Sequence, residues 1–402
     1  MIRSVTESSE HREQIKEIVM NLHKSFVEDD YKGWDLYDAL LSKYYKKGSI
    51  FDSFYPRYIW TQVNKRAPIN LRPLMRVPKS LNPKGLSLIL RGYCKLYGLT
   101  QDQTFLDSAS SVYKLIVSLR SESDYYCWGN NFDYQARNGF HPAFTPNAIT
   151  TSFVANSIVD YYLITKDQEV IRILESIRSY YLETMLLFSD ERGAAFRYYK
   201  ENTPITYNSS AKSTETLALI NAIIPDSQTS EIIKMSYSFL LKSQNDDGSW
   251  YYSSGKQGQW IDNFHTGYVL VALKHIREML YLDFGQDEID KGLKYHLCLH
   301  YTKDHLPRYY TGTLYPIDTH CFAQSIITLS EFSDFARAGK MAESSIKHMY
   351  NFEERFFIYS IRKHYTVRTN LLRWCNAYMF YALSLYLSLN TNQLVGRECL
   401  DG

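Results

Sequence analysis

An excess of either charge is missing: 45 basic residues stand against 43 acidic ones, for a formal net charge of +2 over 402 residues. No block of like charge interrupts the mixture, so nothing draws the chain to nucleic acid or to an anionic membrane surface. Long hydrophobic runs are missing too. No window approaches the roughly eighteen uncharged apolar residues of a membrane span. The opening MIRSVTESSEHREQIKEIVM places charged and polar side chains where a signal peptide needs its apolar core. Paired cysteines are also absent. Cys94, Cys127, Cys298, Cys321, Cys375 and Cys399 are scattered without a CxxC motif, which suits free thiols in a reducing compartment. These absences point to a cytoplasmic protein with no transmembrane segment and no nucleic-acid partner; the oligomeric state is not readable.

Several chemistries lack their motifs. No glycine-rich phosphate loop, GxSxG or HExxH occurs, so nucleotide hydrolysis, the α/β-hydrolase mechanism and zinc proteolysis are unsupported. Asp318, His320 and Cys321 have ligand chemistry, but three near-adjacent residues entering a helix cannot all face one ion. Neither a metal nor a cofactor is expected.

Tyrosine, by contrast, is abundant: 35 residues, beside 20 Phe and 6 Trp. Aromatic faces stack on the apolar C–H face of a sugar ring; the plainer alternative is that most of these rings pack the core.

Internal repetition organises the chain. An aromatic-rich stretch, strand-like or irregular, precedes a polar segment, then a strongly apolar helix, then an amphipathic one. The aromatic stretches are 55–60, 125–132, 196–199, 250–252, 306–310 and 356–359. The apolar helices begin near Pro83, Pro146, Thr214, Thr266, Thr319 and Trp374. PNAITTSFVANSIVDYYLI and HTGYVLVALKHIREML are apolar on several sides and need neighbours all round. TFLDSASSVYKLIVSLR carries one stripe, Phe105, Ala109, Val112, Tyr113 and Ile116, at helical spacing. The expectation is an all-α fold, one (α/α)₆ toroid over residues 1–402, with six inner and six outer helices. Segments 10–28 and 34–46 supply the first outer layer, and Ser213, Thr266 and Thr319 cap inner helices. An open array is the alternative, although it requires polar capping repeats at its ends.

In such a ring the linkers entering the inner helices open at one end, so their polar residues converge. QWIDNFHTGY offers Trp260, Asp262 and His265; PRYYTGTLYPIDTH offers Arg308, Tyr309, Asp318 and His320. Other linkers contribute Asp133, Arg137, Asn138 and His141, then Arg197 and Tyr207, then Arg373 and Trp374. Asp262, His265, Tyr309, Asp318 and His320 are the candidate catalytic groups, and the others are candidate substrate contacts. Each Asp also reads as a plain helix cap. Glycoside hydrolysis requires two carboxyl groups, for which Asp133, Glu215, Asp262 and Asp318 are eligible. Proton abstraction beside a uronate carboxylate requires a base and cations, and the His, Tyr and Arg set suits it better.

The run RNGFHPAFTPNAITTSFVANSIVDYY, with DGSW and WIDNFHTGY further on, resembles VpsJ-like proteins of bacterial polysaccharide-biosynthesis loci, over roughly residues 70–390. That resemblance implies a six-hairpin toroid in a cell-surface polysaccharide pathway, with an oligosaccharide or polysaccharide precursor as partner. FLLKSQNDDGSW is similar to the structural QW motif of squalene-type cyclases, through Leu240, Gln244, Gly248 and Trp250, but their acidic DxDD donor is absent. PRYYTGTLYPIDTH resembles a segment of glucuronyl C5-epimerases at Pro307, Arg308, Tyr309, Thr319 and His320, with different internal spacing. The resemblance implies proton transfer by Tyr309 and His320 and carboxylate binding by Arg308. The function expected is that of a uronate epimerase, lyase or glycoside hydrolase. The alternatives are a non-catalytic glycan-binding or scaffold protein and an isoprenoid cyclase, whose mouth would be apolar throughout.

Overall fold

The computed structural model describes residues 2–398 except positions 138 and 203, so Asn138 and Cys399 lie outside the described residues. Six helices, α3 (Pro83–Thr100), α5 (Ala148–Thr165), α7 (Tyr207–Ile223), α9 (Asn263–Met279), α11 (Thr319–Glu331) and α13 (Ala377–Glu398), pack each on the next. Helix α13 then packs back on α3. The ring is closed, and the chain is the (α/α)₆ toroid. The outer layer is α1 (Ile2–Glu28), α4 (Gln103–Ser118), α6 (Glu169–Ser179), α8 (Ser227–Lys242), α10 (Gln286–Leu299) and α12 (Phe335–Met349), each against an inner helix. Helix α5 buries even Ser152, Asn156 and Ser157, because neighbours cover it on every side. Helix α4 buries one stripe, including Phe105, Ala109, Val112 and Ile116. The five described cysteines are free thiols, Cys298 exposed and the rest buried. No helix among the described residues is long and apolar enough to cross a membrane.

Three local expectations fail, each for a tertiary reason. Residues 34–46 form only a single 3₁₀ turn, Asp38–Leu41. Asp38 accepts from the Asp35 backbone N–H at 2.8 Å and pairs with Arg72, so its carboxylate is spent on loop contacts. The stretch 55–60 lies in a further helix, α2 (Phe54–Arg66), outside the ring; Trp60 Nε1 donates to the Ala39 carbonyl. Helix α7 begins two turns before Thr214. Its start is buried but polar, and Ser213 and Thr214 donate to carbonyls of their own helix instead of capping it. The true caps are Asn82, Asn147, Asp262 and Asp318.

Short strands occupy the linkers into the inner helices. β1 (Tyr134–Ala136) and β2 (Gly139–His141) form one hairpin, and β3 (Leu186–Asp190) and β4 (Gly193–Phe196) another. β5 (Ile317–Asp318), β6 (Tyr350–Asn351) and β8 (Thr366–Asn370) all pair antiparallel with β7 (Phe356–Ile361). A belt of hydrogen bonds ties five of the six inner-helix entries to the neighbouring unit. Ala148 N donates to Tyr198 O, Tyr207 N to Tyr252 O, Asn263 N to Tyr309 O and Leu372 N to Trp34 O. Thr319 Oγ1 donates to Ile358 O. Gly33 permits the closing tie, since a Cβ there would collide with Leu372.

Beneath the mouth, side chains from all six inner helices line an axial cavity of about 20 Å³, room for an ordered water. Phe153, Lys212, Tyr268, Gln324 and Tyr378 line it together with Arg91, Glu215, His275, Glu331 and Tyr381. His275 lies between Glu215 (2.7 Å) and Glu331 (3.0 Å). Burial alone would lower its pKa, but the two carboxylates push it up to about 9.

Two predictions follow from this packing. Gly92 of α3 faces the Phe380 ring of α13, and a Cβ at Gly92 would overlap that ring; at Gly98, in the same helix, nothing lies within 4 Å. Gly92→Val is expected to cost about 1–3 kcal/mol by overpacking the closing contact. Gly98→Ala should gain up to about 1 kcal/mol of helix propensity; urea unfolding of both variants checks the contrast. A histidine held protonated by folding contributes fully below its unfolded pKa of about 6.5 and loses that contribution as pH rises through about 9. The stability advantage of the parent over His275→Gln should therefore shrink between those pH values, measured by unfolding at each pH.

Candidate functional site

Asp262 caps α9 by accepting from the His265 backbone N–H at 2.9 Å through Oδ1. One helical turn brings the His265 ring back over the same carboxylate, and Nδ1 donates to Oδ2 at 2.6 Å. Cap and imidazole–carboxylate pair are therefore one construction. Asp262 is buried, whereas the His265 side chain keeps 22% exposure, and its Nε2 has no protein partner among the described residues. Trp260 Nε1 also donates to Asp262, at 3.3 Å. Its ring stacks on Tyr252 at 4.4 Å and 12°, and Tyr252 lies 4.8 Å from the His265 ring.

A second imidazole lies one helix away. Phe264 separates the two, 4.2 Å from His265 and 4.4 Å from His320 between ring centroids. His320 Nε2 is 2.7 Å from the Tyr268 hydroxyl, which is 2.5 Å from that of Tyr378. Burial, reinforced by the nearby Lys84, His265 and Arg373, holds the His320 pKa well below its usual range, so the ring is neutral at pH 7. Asp318 caps α11 and accepts from Trp374 Nε1 at 3.2 Å; its Oδ2 is buried without a partner. Burial pushes this carboxyl up to about 6 against those two hydrogen bonds. Tyr309 packs edge-on against Phe264. Burial raises its hydroxyl pKa, and the charges of Asp262 and Asp318 add to the effect.

The mouth therefore brings together Trp260, Asp262, His265, Tyr309, Asp318, His320, Arg373 and Trp374. Arg373 is already engaged, donating to both oxygens of Asp35 at 2.5 and 2.7 Å, with both side chains buried. The remaining candidates are held by other partners. Asp133 accepts from Ala143 N and pairs with Lys47. Arg137 reaches Tyr58 on the rim. Arg197 and Arg308 donate to the Asn202 and Leu299 carbonyls, and Tyr207 packs on Phe239 of α8. His141 is sandwiched between Tyr134 and Tyr199.

Sequence reasoning missed Lys84, Tyr268 and Tyr378 because it searched the linkers, and these residues lie within the helices or at their first turn. Tyr268 was legible in principle, since three residues after His265 is the same helical face. It also missed Tyr37. That residue stands beside Tyr134 and Trp374 and accepts from Lys65 of α2 at 2.9 Å, so the N-terminal excursion covers the mouth.

If Arg373 is a structural partner of Asp35, Arg373→Met strands a buried carboxylate and costs about 3–5 kcal/mol. Combining it with Asp35→Leu should restore most of that loss, which a double-mutant cycle of urea unfolding measures.

No protein-family description matches the chain, and no curated protein matches it. Solved structures do. Cellobiose 2-epimerase from Bacillus thermoamylovorans aligns over 78% of this chain and 90% of its own, with a TM-score of 0.63 and 11% identity. A D-mannose isomerase aligns over 77% and 87%, with a TM-score of 0.60 and 11% identity. An α-mannanase from Bacteroides thetaiotaomicron aligns over 80% and 89%, with a TM-score of 0.57 and 12% identity. At these identities the likeness establishes the shared (α/α)₆ toroid fold.

Proposed function

We propose that the mouth is a carbohydrate site and that its reaction is proton transfer at a sugar carbon next to a carbonyl or carboxylate, as in an epimerase or lyase. The observation that carries this reading is the His265–Asp262 pair: a carboxylate fixes Nδ1 and leaves a solvent-reachable Nε2 as base. Trp260 stacked on Tyr252 offers an apolar platform beside that nitrogen. Across Phe264, neutral His320 and the Tyr268–Tyr378 hydroxyl pair form a second proton-transfer group. Two such groups on one aromatic layer suit removal of a proton and its return. The toroidal epimerase and isomerase named above add weight as fold analogues only. The resemblance to VpsJ-like proteins supports a role on a bacterial cell-surface polysaccharide or its precursor, with the whole chain acting as one toroid unit.

Hydrolysis is the second reading, favoured by Asp318, whose raised pKa suits a general acid. Its opposite carboxylate would be Asp262, which His265 and Trp260 already occupy. In a toroidal α-1,6-mannanase from Salegentibacter, a variant with two adjacent Asp residues replaced by Asn is inactive. The adjacent Asp246 and Asp247 here lie at the periphery, in a turn packed on α10 through Gly248 and Gln244.

Incubation in D₂O with uronate-bearing and neutral bacterial oligosaccharides tests the reading by NMR. The expected result is deuterium at a carbon next to the carbonyl or carboxylate, reduced about 10²–10⁴-fold by His265→Ala. New reducing ends without deuterium would transfer the assignment to hydrolysis. Line broadening without chemistry would indicate a binding protein.

A further inference from the structure

Of the arginines at the linkers, Arg197 and Arg308 are tied to backbone carbonyls and Arg373 to Asp35. One basic side chain at the floor of the mouth has no such partner. Lys84, in the first turn of α3, is only 6% exposed, and its Nζ makes no hydrogen bond or ion pair among the described residues. It lies 3.9 Å from the centroid of the Phe153 ring, 5.4 Å from that of Tyr378 and 5.6 Å from that of Tyr268. The last two rings carry the hydroxyl pair next to His320. Ring contact offers the amine no hydrogen-bond acceptor, and such a group calls for a partner that water or a ligand can supply.

We propose that Lys84 is the anion contact of this mouth and that the sugar it selects carries an anionic group, a carboxylate or a phosphate ester. This rests on the reading of the mouth as a sugar site and names its substrate class. Placed beside the His320–Tyr268 group, an anion on Lys84 would be held next to the proton-transfer layer. Arg373 and Lys212 are both close to the amine, the first paired with Asp35 and the second with Glu215. Burial first, then those two cations, hold the Lys84 pKa well below its usual value.

Calorimetric titration at pH 7.5 tests this with a glucuronate-bearing disaccharide, glucose 6-phosphate and cellobiose. At least one acidic probe should bind about tenfold or more tighter than cellobiose. Whichever acidic probe does so identifies the anion. Lys84→Met should abolish that preference while leaving the circular dichroism spectrum unchanged, and Lys84→Gln serves if the Met variant does not fold. Acidic and neutral probes binding alike would overturn the proposal, as would a preference for the acidic probe that persists in the Lys84 variants. So would failure of every acidic probe to bind, both to the parent and to Tyr37→Ala, which uncovers the mouth. Deuterium exchange into neutral sugars without an acid preference would remove Lys84's role and leave proton transfer standing.

Discussion

Closure of the inner ring is the constraint on which everything else depends. Helix α13 must return to α3, and the contact is close: Phe380 lies over Gly92, edge-on to Tyr93 and Phe26. At the mouth the same closure is made by Leu372 N donating to Trp34 O past Gly33. Once the ring is closed, each inner helix is surrounded, and its side chains point either to outer helices or to a common axis. Residues hundreds of positions apart then share one small volume, as Asp35 and Arg373 do.

The axis is layered. At the mouth, aromatic rings separate two imidazoles; Lys84 and Lys212 lie against Phe153, and Phe153 and Lys212 line a small cavity together with ionised side chains centred on His275. Buried charges of this kind are stable only when paired. The pairing of Glu215, His275 and Glu331, together with that of Arg91 and Asp160, meets the requirement across helix boundaries. Each pair also fixes the rotation of two helices, which keeps the mouth residues in register.

The fold was largely legible because ring closure imposes a period. Six apolar helices with intervening amphipathic ones, and the single stripe of α4, were readable as hydrophobic pattern. The start of α7 was not, because Ser209, Ser210, Lys212 and Ser213 are polar yet buried. Of the site, Asp262, His265, Asp318 and His320 were readable because a helix N-terminus calls for Asp at its cap, and the recurrence in consecutive units marked them. The engagement of Arg373, Arg197 and Arg308 was not readable, since their partners are set by folding. Lys84 was invisible for the opposite reason: only the three-dimensional structure shows an amine without a partner.

The central claim is that sugar binds in the aromatic mouth with a C–H directed at His265. Diffraction from crystals grown with a glucuronate-bearing oligosaccharide tests this most directly. The account predicts a sugar ring against Trp260 and Tyr252, its reacting carbon within about 3–3.5 Å of His265 Nε2 and Tyr37 displaced. A sugar bound on the outer helices, or in the mouth with His265 remote from every ring carbon, would contradict it.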